Sequence, residues 1–502
     1  MRAQPDRGGP ENPLKGPKGE LKSRIARGVA WGIAEKAGSA LLQMGVSLVV
    51  LRHLVPDETG AWGILTAVVA VALILVDSGF SQALIRKPDP TAADYKSVFV
   101  LNFAVAVVLY VLLAAAAPLV ARFYAMPLVA NVGPVLFLLL PVSALCTIQN
   151  TIFARQMRFA LMSKVVFAAS AAGGAAAVGL AVSGFGLWSF VGQRITAMAV
   201  RTGLLWWLSD WRPRGRFDRS ALRRMAPFSL SLMTTDLISA VYTKIPQFFI
   251  GRLYPASVLG FFDQAVKIKD LPLTSAMQSV QGVTYPALSK IGGDAIRFAE
   301  GYRQLAMITA FALFPAMAGL IAVADELFPV LIGEQWLPTV PYFKAVCLTG
   351  FFYPIAILAY NVLKVESDGR IIVRLEAVKK TVMTAIFALT IFHSVTAVVW
   401  GLVAMSAIEM GLNVGAARRF TTLTVGRLLL TLLPIVLLTA AMYAAVWWVG
   451  RLIEAPLLRL FAKMAAGVAV YVGLAASFRM EAFREVSRMI RREFLRKEQA
   501  GC

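Results

Sequence analysis

Five cations and five carboxylates interrupt otherwise apolar stretches of this sequence: Lys36, Arg194, Arg201, Lys244 and Lys267, and Glu35, Asp77, Asp236, Asp263 and Asp270. An ionisable group in such a stretch costs several kcal/mol unless it faces a partner or water, so each is a functional candidate. Their spacing gives them direction. Glu35, Ser39, Gln43 and Ser47 recur every four residues, with Lys36 beside them, and make one polar stripe. Asp263, Lys267, Asp270, Thr274, Gln278 and Gln281 follow a three-and-four spacing, the most sustained polar stripe in the chain. Asp236, Ser239, Thr243 and Gln247 form a third, with Lys244 adjacent, and Arg194 and Arg201 stand seven apart on one helical face. Arg and Lys compensate an anion that has lost hydration, and Gln complements sugar hydroxyls. The substrate-binding candidates are therefore Lys36, Gln43, Arg194, Arg201, Lys244, Lys267, Gln278 and Gln281. Carboxylates that alternate between charged and neutral forms, or that hold Na⁺, suit a coupling ion, and Glu35, Asp77, Asp236, Asp263 and Asp270 are the candidates. A purely structural alternative pairs Asp263 with Lys267, Lys267 with Asp270 and Glu376 with Lys380 along single helices. On that view Lys379, Lys380 and Lys463 snorkel to an interface.

The elements carrying these groups must be membrane helices. Hydrophobic residues make up 58% of the 502 and charged residues 16%, which excludes an ordinary soluble protein. Apolar runs of spanning length recur near 28–51, 60–85, 97–120, 128–153, 161–182 and 186–208, then near 226–252, 258–287, 302–324, 338–363, 371–392 and 396–416. Two more lie near 427–449 and 456–477. Strand-period alternation is absent, which argues against a β-barrel. The expected fold is all-α integral membrane, with about 14 transmembrane helices in two pseudo-repeated six-helix lobes plus two C-terminal helices. The lobes are 28–208 and 226–416, joined by a basic linker at 209–225, with the last two spans in 417–478. Leu54-Val55-Pro56 before Gly60-Ala61-Trp62 is echoed by Leu253-Tyr254-Pro255 before Gly260-Phe261-Phe262, as a repeat requires. Six spans per copy give the copies the same orientation, an arrangement suited to alternating access with a site at their interface.

The formal charge of +22 is a topology signal, not a nucleic-acid footprint, because the cations gather in short connections and tails. Most lie on the side of the N-terminus, which places both ends in the cytoplasm. Residues 1–27 read as a disordered basic cytoplasmic tail without a cleavable signal peptide. Residues 479–502 read as a basic tail whose Met480, Phe483, Val486, Ile490 and Phe494 make an amphipathic helix on anionic lipid, or on a protein partner. Trp206, Trp207, Trp211, Trp447 and Trp448 fall at span ends, as interface belts do. Neither disulfide nor metal-ligand spacing is visible among three cysteines, no cofactor is implied, and no phosphate-binding Gly-Lys-Ser/Thr loop is present. Catalytic residues are expected to be absent, since an integral-membrane glycosyltransferase or polymerase needs larger connections than these.

Several sequence words resemble one known group. They are Val76-Asp77-Ser78-Gly79-Phe80-Ser81-Gln82-Ala83-Leu84-Ile85-Arg86-Lys87, Ala121-Arg122-Phe123-Tyr124, Gly184-Phe185-Gly186-Leu187-Trp188 and Trp211-Arg212-Pro213. Leu259-Gly260-Phe261-Phe262-Asp263-Gln264-Ala265, Tyr285-Pro286-Ala287-Leu288-Ser289-Lys290 and Gly333-Glu334-Gln335-Trp336-Leu337-Pro338 follow in order. Together they resemble the Wzx-type polysaccharide exporters of the multidrug/oligosaccharidyl-lipid/polysaccharide superfamily, the branch that includes the colanic acid exporter. The resemblance implies a bacterial inner-membrane flippase for undecaprenyl-diphosphate-linked oligosaccharide repeat units, working by alternating access around a cationic cavity. It also implies Na⁺ or H⁺ coupling, membrane lipids, and polysaccharide polymerase or assembly proteins as partners. A multidrug cation antiporter and a peptidoglycan-precursor flippase are the alternatives.

Orientation is checked directly: cysteine-accessibility labelling should place Arg214 and the C-terminal tail in the cytoplasm and the Glu334 loop in the periplasm. Opposite labelling would reverse the topology.

Overall fold

A computed structural model of the chain describes residue 38 and residues 42–488, apart from 292–294 and 368; for 275, 278, 279, 282–291 and 295 only the backbone is described. Every regular element among the described residues is helical, and they fall into two compact units, one ending at Arg252 and the other starting at Leu253. The expected tail 1–27 lies outside the described residues.

The first unit holds α1 (42–53), α2 (Pro56–Asp77), α3 (Phe80–Arg86), α4 (Ala92–Tyr124), α5 (Pro127–Phe137), α6 (Leu139–Arg155), α7 (Phe159–Val182), α8 (Trp188–Leu208) and α9 (Arg219–Leu253). α7 lies along α8 through buried small residues, Ala169, Gly173, Ala177 and Ala181, which let helix backbones approach where hydrophobic force between apolar helices is absent. The first repeat word is read here: Pro56 opens α2, and Trp62 is buried, stacked on Phe190 of α8 with ring centroids 5.3 Å apart. Gly186 has φ +52, and a Cβ there would collide with the Glu58 carboxylate, which accepts from the Leu187 N–H at 3.3 Å. That explains the glycine in Gly184-Phe185-Gly186-Leu187-Trp188.

One end of this unit is tied together by charge on backbone. The Arg155 guanidinium donates to the Leu84 carbonyl at 2.6 Å, to that of Pro88 at 2.8 Å and to Lys87, satisfying carbonyls that α3 leaves free at its C-terminus. Asp94 caps α4 by accepting from the Thr91 N–H at 2.7 Å and pairs with Lys87 at 2.6 Å.

Residues 209–225, expected as a linker between lobes, are fastened to this end. Lys96 donates to the Gly215 carbonyl at 2.7 Å, the Asp218 N–H donates to Ser97 at 2.7 Å, and Ala221 and Met225 pack with Phe80, Leu84, Val98 and Ile148. At the far end of α9, Arg252 lies over the Phe123 ring at 4.9 Å. Contacts at both ends place α9 with the first unit.

The second unit holds α10 (Ala256–Ile291), α11 (Ala295–Leu331), α12 (Thr339–Glu366), α13 (Arg370–Thr390), α14 (Val395–Ala417), α15 (Val425–Leu452), α16 (Pro456–Ser477) and a helical turn pair at 481–488. α11 and α12 make its core, with Phe298, Tyr302, Phe311, Ile355, Leu358 and Val362 buried. The α15–α16 hairpin joins that core through Tyr471, which donates to the Phe311 carbonyl at 2.8 Å. Lys463 does not snorkel. It is buried against Glu326 of α11 at 2.7 and 2.8 Å and donates to the Ala322 carbonyl at 3.1 Å.

The C-terminal helix is also placed differently from the lipid-surface expectation. Ala482 is buried, and Met480, Phe483 and Val486 pack on the α11–α12 core. Arg303 makes two bonds to Glu481, and this partnership holds the Glu481 carboxyl below its usual range. Ile490 and Phe494 lie outside the described residues.

By length and composition, nine helical segments among the described residues suit a membrane crossing: α2, α4, α5 with α6, α7, α11, α12, α14, α15 and α16. α8, α9, α10 and α13 run 21 to 36 residues but carry the charges singled out above and fall outside that set.

The Lys463–Glu326 pair sets a stability test. Lys463→Met should destabilise the protein by up to about 3–5 kcal/mol, because it leaves buried Glu326 to the more distant Arg459 at 3.7 Å, and Lys463→Met with Glu326→Leu should recover most of that loss. Thermal unfolding of the purified variants reads it; a harmless single variant would show that the pair does not hold the hairpin.

Candidate functional site

α8 carries two arginines, and among the described residues neither pairs with a carboxylate. Arg201 is half-buried and donates from Nη2 to the Asn150 amide oxygen of α6 at 3.2 Å, while its buried Nε has no partner among the described residues. The seven-residue spacing puts Arg194 two turns away, about 10 Å along the helix, with its side chain exposed. Lys244, on α9 of the same unit, is half-buried and makes no ion pair among the described residues. Among the described residues, Arg201 is therefore met by a neutral amide, and Arg194 and Lys244 make no ion pair. Trp206 anchors the same helix, donating to the Leu145 carbonyl at 2.9 Å and meeting Phe99 edge-on, while Trp207 faces outward as a belt residue does.

The carboxylates of this unit sit elsewhere. Asp77, at the last residue of α2, is half-buried and accepts from Ser81, and Asp236 of α9 lies close enough for its charge to act on Asp77. Asp236 itself is exposed.

The second unit resolves its charges in the opposite way. Lys267 pairs with the buried Asp263 at 2.6 Å, so this candidate cation already has a counter-charge. Asp270 pairs with Lys269 at 2.7 Å, not with Lys267. On α13, Lys379 is buried between Glu376 of its own helix and Glu409 of α14 at 3.3 Å, with the Tyr360 ring 4.7 Å away. Lys379 does not snorkel to an interface but joins this cross-helix triad. Helical spacing could not reveal it, because Glu409 comes from a different helix.

Of the remaining candidates, Gln43 and Gln281 are exposed. Glu35 and Lys36 lie outside the described residues, as does the Gln278 side chain. Asn150 was missed: a lone Asn in an apolar helix carries no periodic signal, and its role shows only through Arg201.

Residues 49–341 match the family described as polysaccharide biosynthesis protein. Over 312 residues the chain is 26% identical to the succinoglycan biosynthesis transport protein ExoT of Rhizobium meliloti (strain 1021), covering 62% of this chain and 63% of that one. Over 288 residues it is 25% identical to the teichuronic acid biosynthesis protein TuaB of Bacillus subtilis (strain 168), covering 56% and 58%. The lipopolysaccharide biosynthesis protein WzxC of Escherichia coli (strain K12) is 22% identical over 342 residues, 66% of this chain and 68% of that one. The chain thus spans less than two thirds of the length of the first two. Among solved structures, the lipid II flippase MurJ in an inward closed conformation aligns with a TM-score of 0.73 at 14% identity, over 91% of this chain and 99% of that one. An inward-facing multidrug resistance MATE family transporter aligns at 0.60 and 14% identity, over 76% and 94%. At that identity these two show the fold alone, an all-helical one.

Paired and unpaired cations should respond differently to removal. Lys267→Gln deprives buried Asp263 of its ion pair and should cut membrane abundance severalfold, and adding Asp263→Asn should restore it. Arg201→Gln should leave abundance near wild type. Equal losses in both single variants would erase the distinction.

Proposed function

Because the chain belongs to the polysaccharide biosynthesis protein family, whose match covers residues 49–341, we propose that it is a flippase for undecaprenyl-diphosphate-linked oligosaccharide repeat units. It carries them from the cytoplasmic to the periplasmic leaflet of the inner membrane, by alternating access, for exopolysaccharide, capsule or O-antigen synthesis. A cation gradient supplies the driving force, and a polysaccharide polymerase or assembly protein receives the product. Relatives named for succinoglycan transport and for teichuronic acid and lipopolysaccharide biosynthesis support the substrate class. The helical fold shared with a lipid II flippase supports the transport mode.

The observation that carries the reading is Arg201, a half-buried guanidinium held by one neutral amide, with Arg194 two turns along the same helix. A cation so placed lowers the desolvation cost of a diphosphate entering from water, because the guanidinium offers paired donors to phosphate oxygens. It does so without first breaking an internal ion pair. A cationic drug would meet repulsion at the same helix, which disfavours the multidrug alternative. Lys267, already paired with Asp263, ranks behind Arg194, Arg201 and Lys244 as a diphosphate contact.

Complementation of an exporter-deficient strain, scored beside membrane abundance, tests this. Arg194→Ala, Arg201→Ala and Lys244→Ala should each lower export of the repeat unit while abundance stays near wild type. Unchanged export in all three would remove the cationic site, and export falling only in step with abundance would return these residues to a structural role.

A further inference from the structure

The second unit exposes two kinds of face. On α15 and α16 the exposed side chains include Leu429, Leu433, Val436, Phe461 and Val468, as contact with lipid requires. α12 differs: it is buried along most of its length, and midway it exposes Tyr353, whose hydroxyl has no place in hydrocarbon. Two carboxylates are close enough for their charges to act on Tyr353, Glu409 of α14 and Asp270 of α10. Packing brings these helices to one level. Asn413, one turn from Glu409, donates to the Ala356 carbonyl, one turn from Tyr353, at 3.0 Å. Leu273, one turn from Asp270, shares a packed cluster with Phe351 and Ile357, which bracket Tyr353 on α12. The Glu409 and Asp270 side chains are 35% and 41% exposed, so ring and carboxylates are open together.

The charges around this face cancel one another. Lys379 lies between Glu376 and Glu409, Lys269 holds Asp270 at 2.7 Å, and Lys364 stands over the Tyr360 ring at 4.8 Å. Three cations answer three carboxylates, so the face exerts little pull on a diphosphate or a free cation. It keeps its hydrogen-bonding capacity, because an ionised carboxylate offers two oxygens. Lys379 takes Oε1 of Glu409 at 3.3 Å and Lys269 takes Oδ1 of Asp270, and the second oxygen of each can accept from a hydroxyl. Lys379 is buried and fixed over the Tyr360 ring at 4.7 Å, so the Glu409 carboxylate is held in place.

We propose that this face of the second unit is a sugar-binding site, where a pyranose ring of the transported oligosaccharide lies on Tyr353 and its hydroxyls donate to Glu409 and Asp270. The C–H face of a pyranose is weakly positive and suits the negative face of an aromatic ring. Hydroxyl donors suit carboxylates that are fixed and already neutralised. An acceptor held in one place also discriminates, because a sugar lacking the matching hydroxyl leaves it unpaired. The site rests on the transport reading above and divides the work of recognition: the first unit's arginines take the diphosphate, and Tyr353, Glu409 and Asp270 read the sugar.

The test measures binding of two short-chain prenyl diphosphates to the purified full chain in nanodiscs. One carries the oligosaccharide repeat unit of the producing strain, and the other is capped by a methyl group, so the two have equal charge. Wild type should bind the sugar-bearing lipid about tenfold more tightly, the worth of one or two hydrogen bonds. Tyr353→Ala and Glu409→Gln should each bring the sugar-bearing lipid close to the capped one, while the capped lipid binds as it does to wild type. Arg201→Ala should weaken both lipids alike. Tyr353 is exposed, so its variant keeps the test decisive if Glu409→Gln fails to fold. Equal binding of the two lipids by wild type, or an undiminished sugar preference in Tyr353→Ala, overturns the sugar site and leaves the diphosphate reading standing. Failure of the capped lipid to bind, with the sugar preference lost in Tyr353→Ala, overturns the diphosphate reading and leaves the sugar site standing.

Discussion

A charge in hydrocarbon must be met by an opposite charge, by fixed dipoles or by water, and the rest of this molecule can be understood from how each unit meets that demand. The second unit uses opposite charges. Lys463 with Glu326, Lys379 with Glu376 and Glu409, and Lys267 with Asp263 each join a cation to a carboxylate, and the first two of these bridge separate helices. Such pairs contribute little net stability over apolar packing, but removing one partner is costly, so they fix which helices stay together. The α15–α16 hairpin is held to α11 in this way.

The first unit meets the same demand with dipoles. Arg155 is compensated by carbonyls at the end of α3, Arg201 by the Asn150 amide, and Asp77 by the Ser81 hydroxyl at the start of α3. A dipole offsets only part of a full charge. What is left over must be met by water or by a mobile counter-ion. Ion recognition in this account resides where compensation is incomplete, and rigidity where it is complete.

Much of this was legible in the sequence, for physical reasons that also mark the limit. Helical periodicity exposes any polar stripe carried by one helix, so the α10 pattern and the Arg194–Arg201 spacing were visible at once. Partnerships between helices were not. Lys463 meets Glu326 across 137 residues and Lys379 meets Glu409 across 30, and neither spacing has a period. Asn102 reads as a tolerated polar residue in a 33-residue apolar helix, and its burial appears only when Val98 and Ala106 are seen packed on either side of it. The Asp77-Ser78-Gly79 word carried the family resemblance, but its reason, α9 pressed against Gly79, is tertiary. Hydropathy counts spans, whereas the contacts of α9 with Phe80, Val98 and Phe123 join helices far apart in sequence and carry no periodic signal.

The central claim is that the unpaired arginines of α8 recognise the diphosphate of a lipid-linked sugar during translocation. Its most direct measurement is in proteoliposomes containing only the purified chain, an imposed cation gradient and a fluorescent lipid-linked oligosaccharide, with leaflet exposure followed by a membrane-impermeant quencher. The account predicts that the chain accelerates movement of the diphosphate-linked lipid well above protein-free vesicles, and hardly at all for an analogue whose diphosphate is replaced by an uncharged linker. Equal acceleration of both lipids, or none of either, would contradict it.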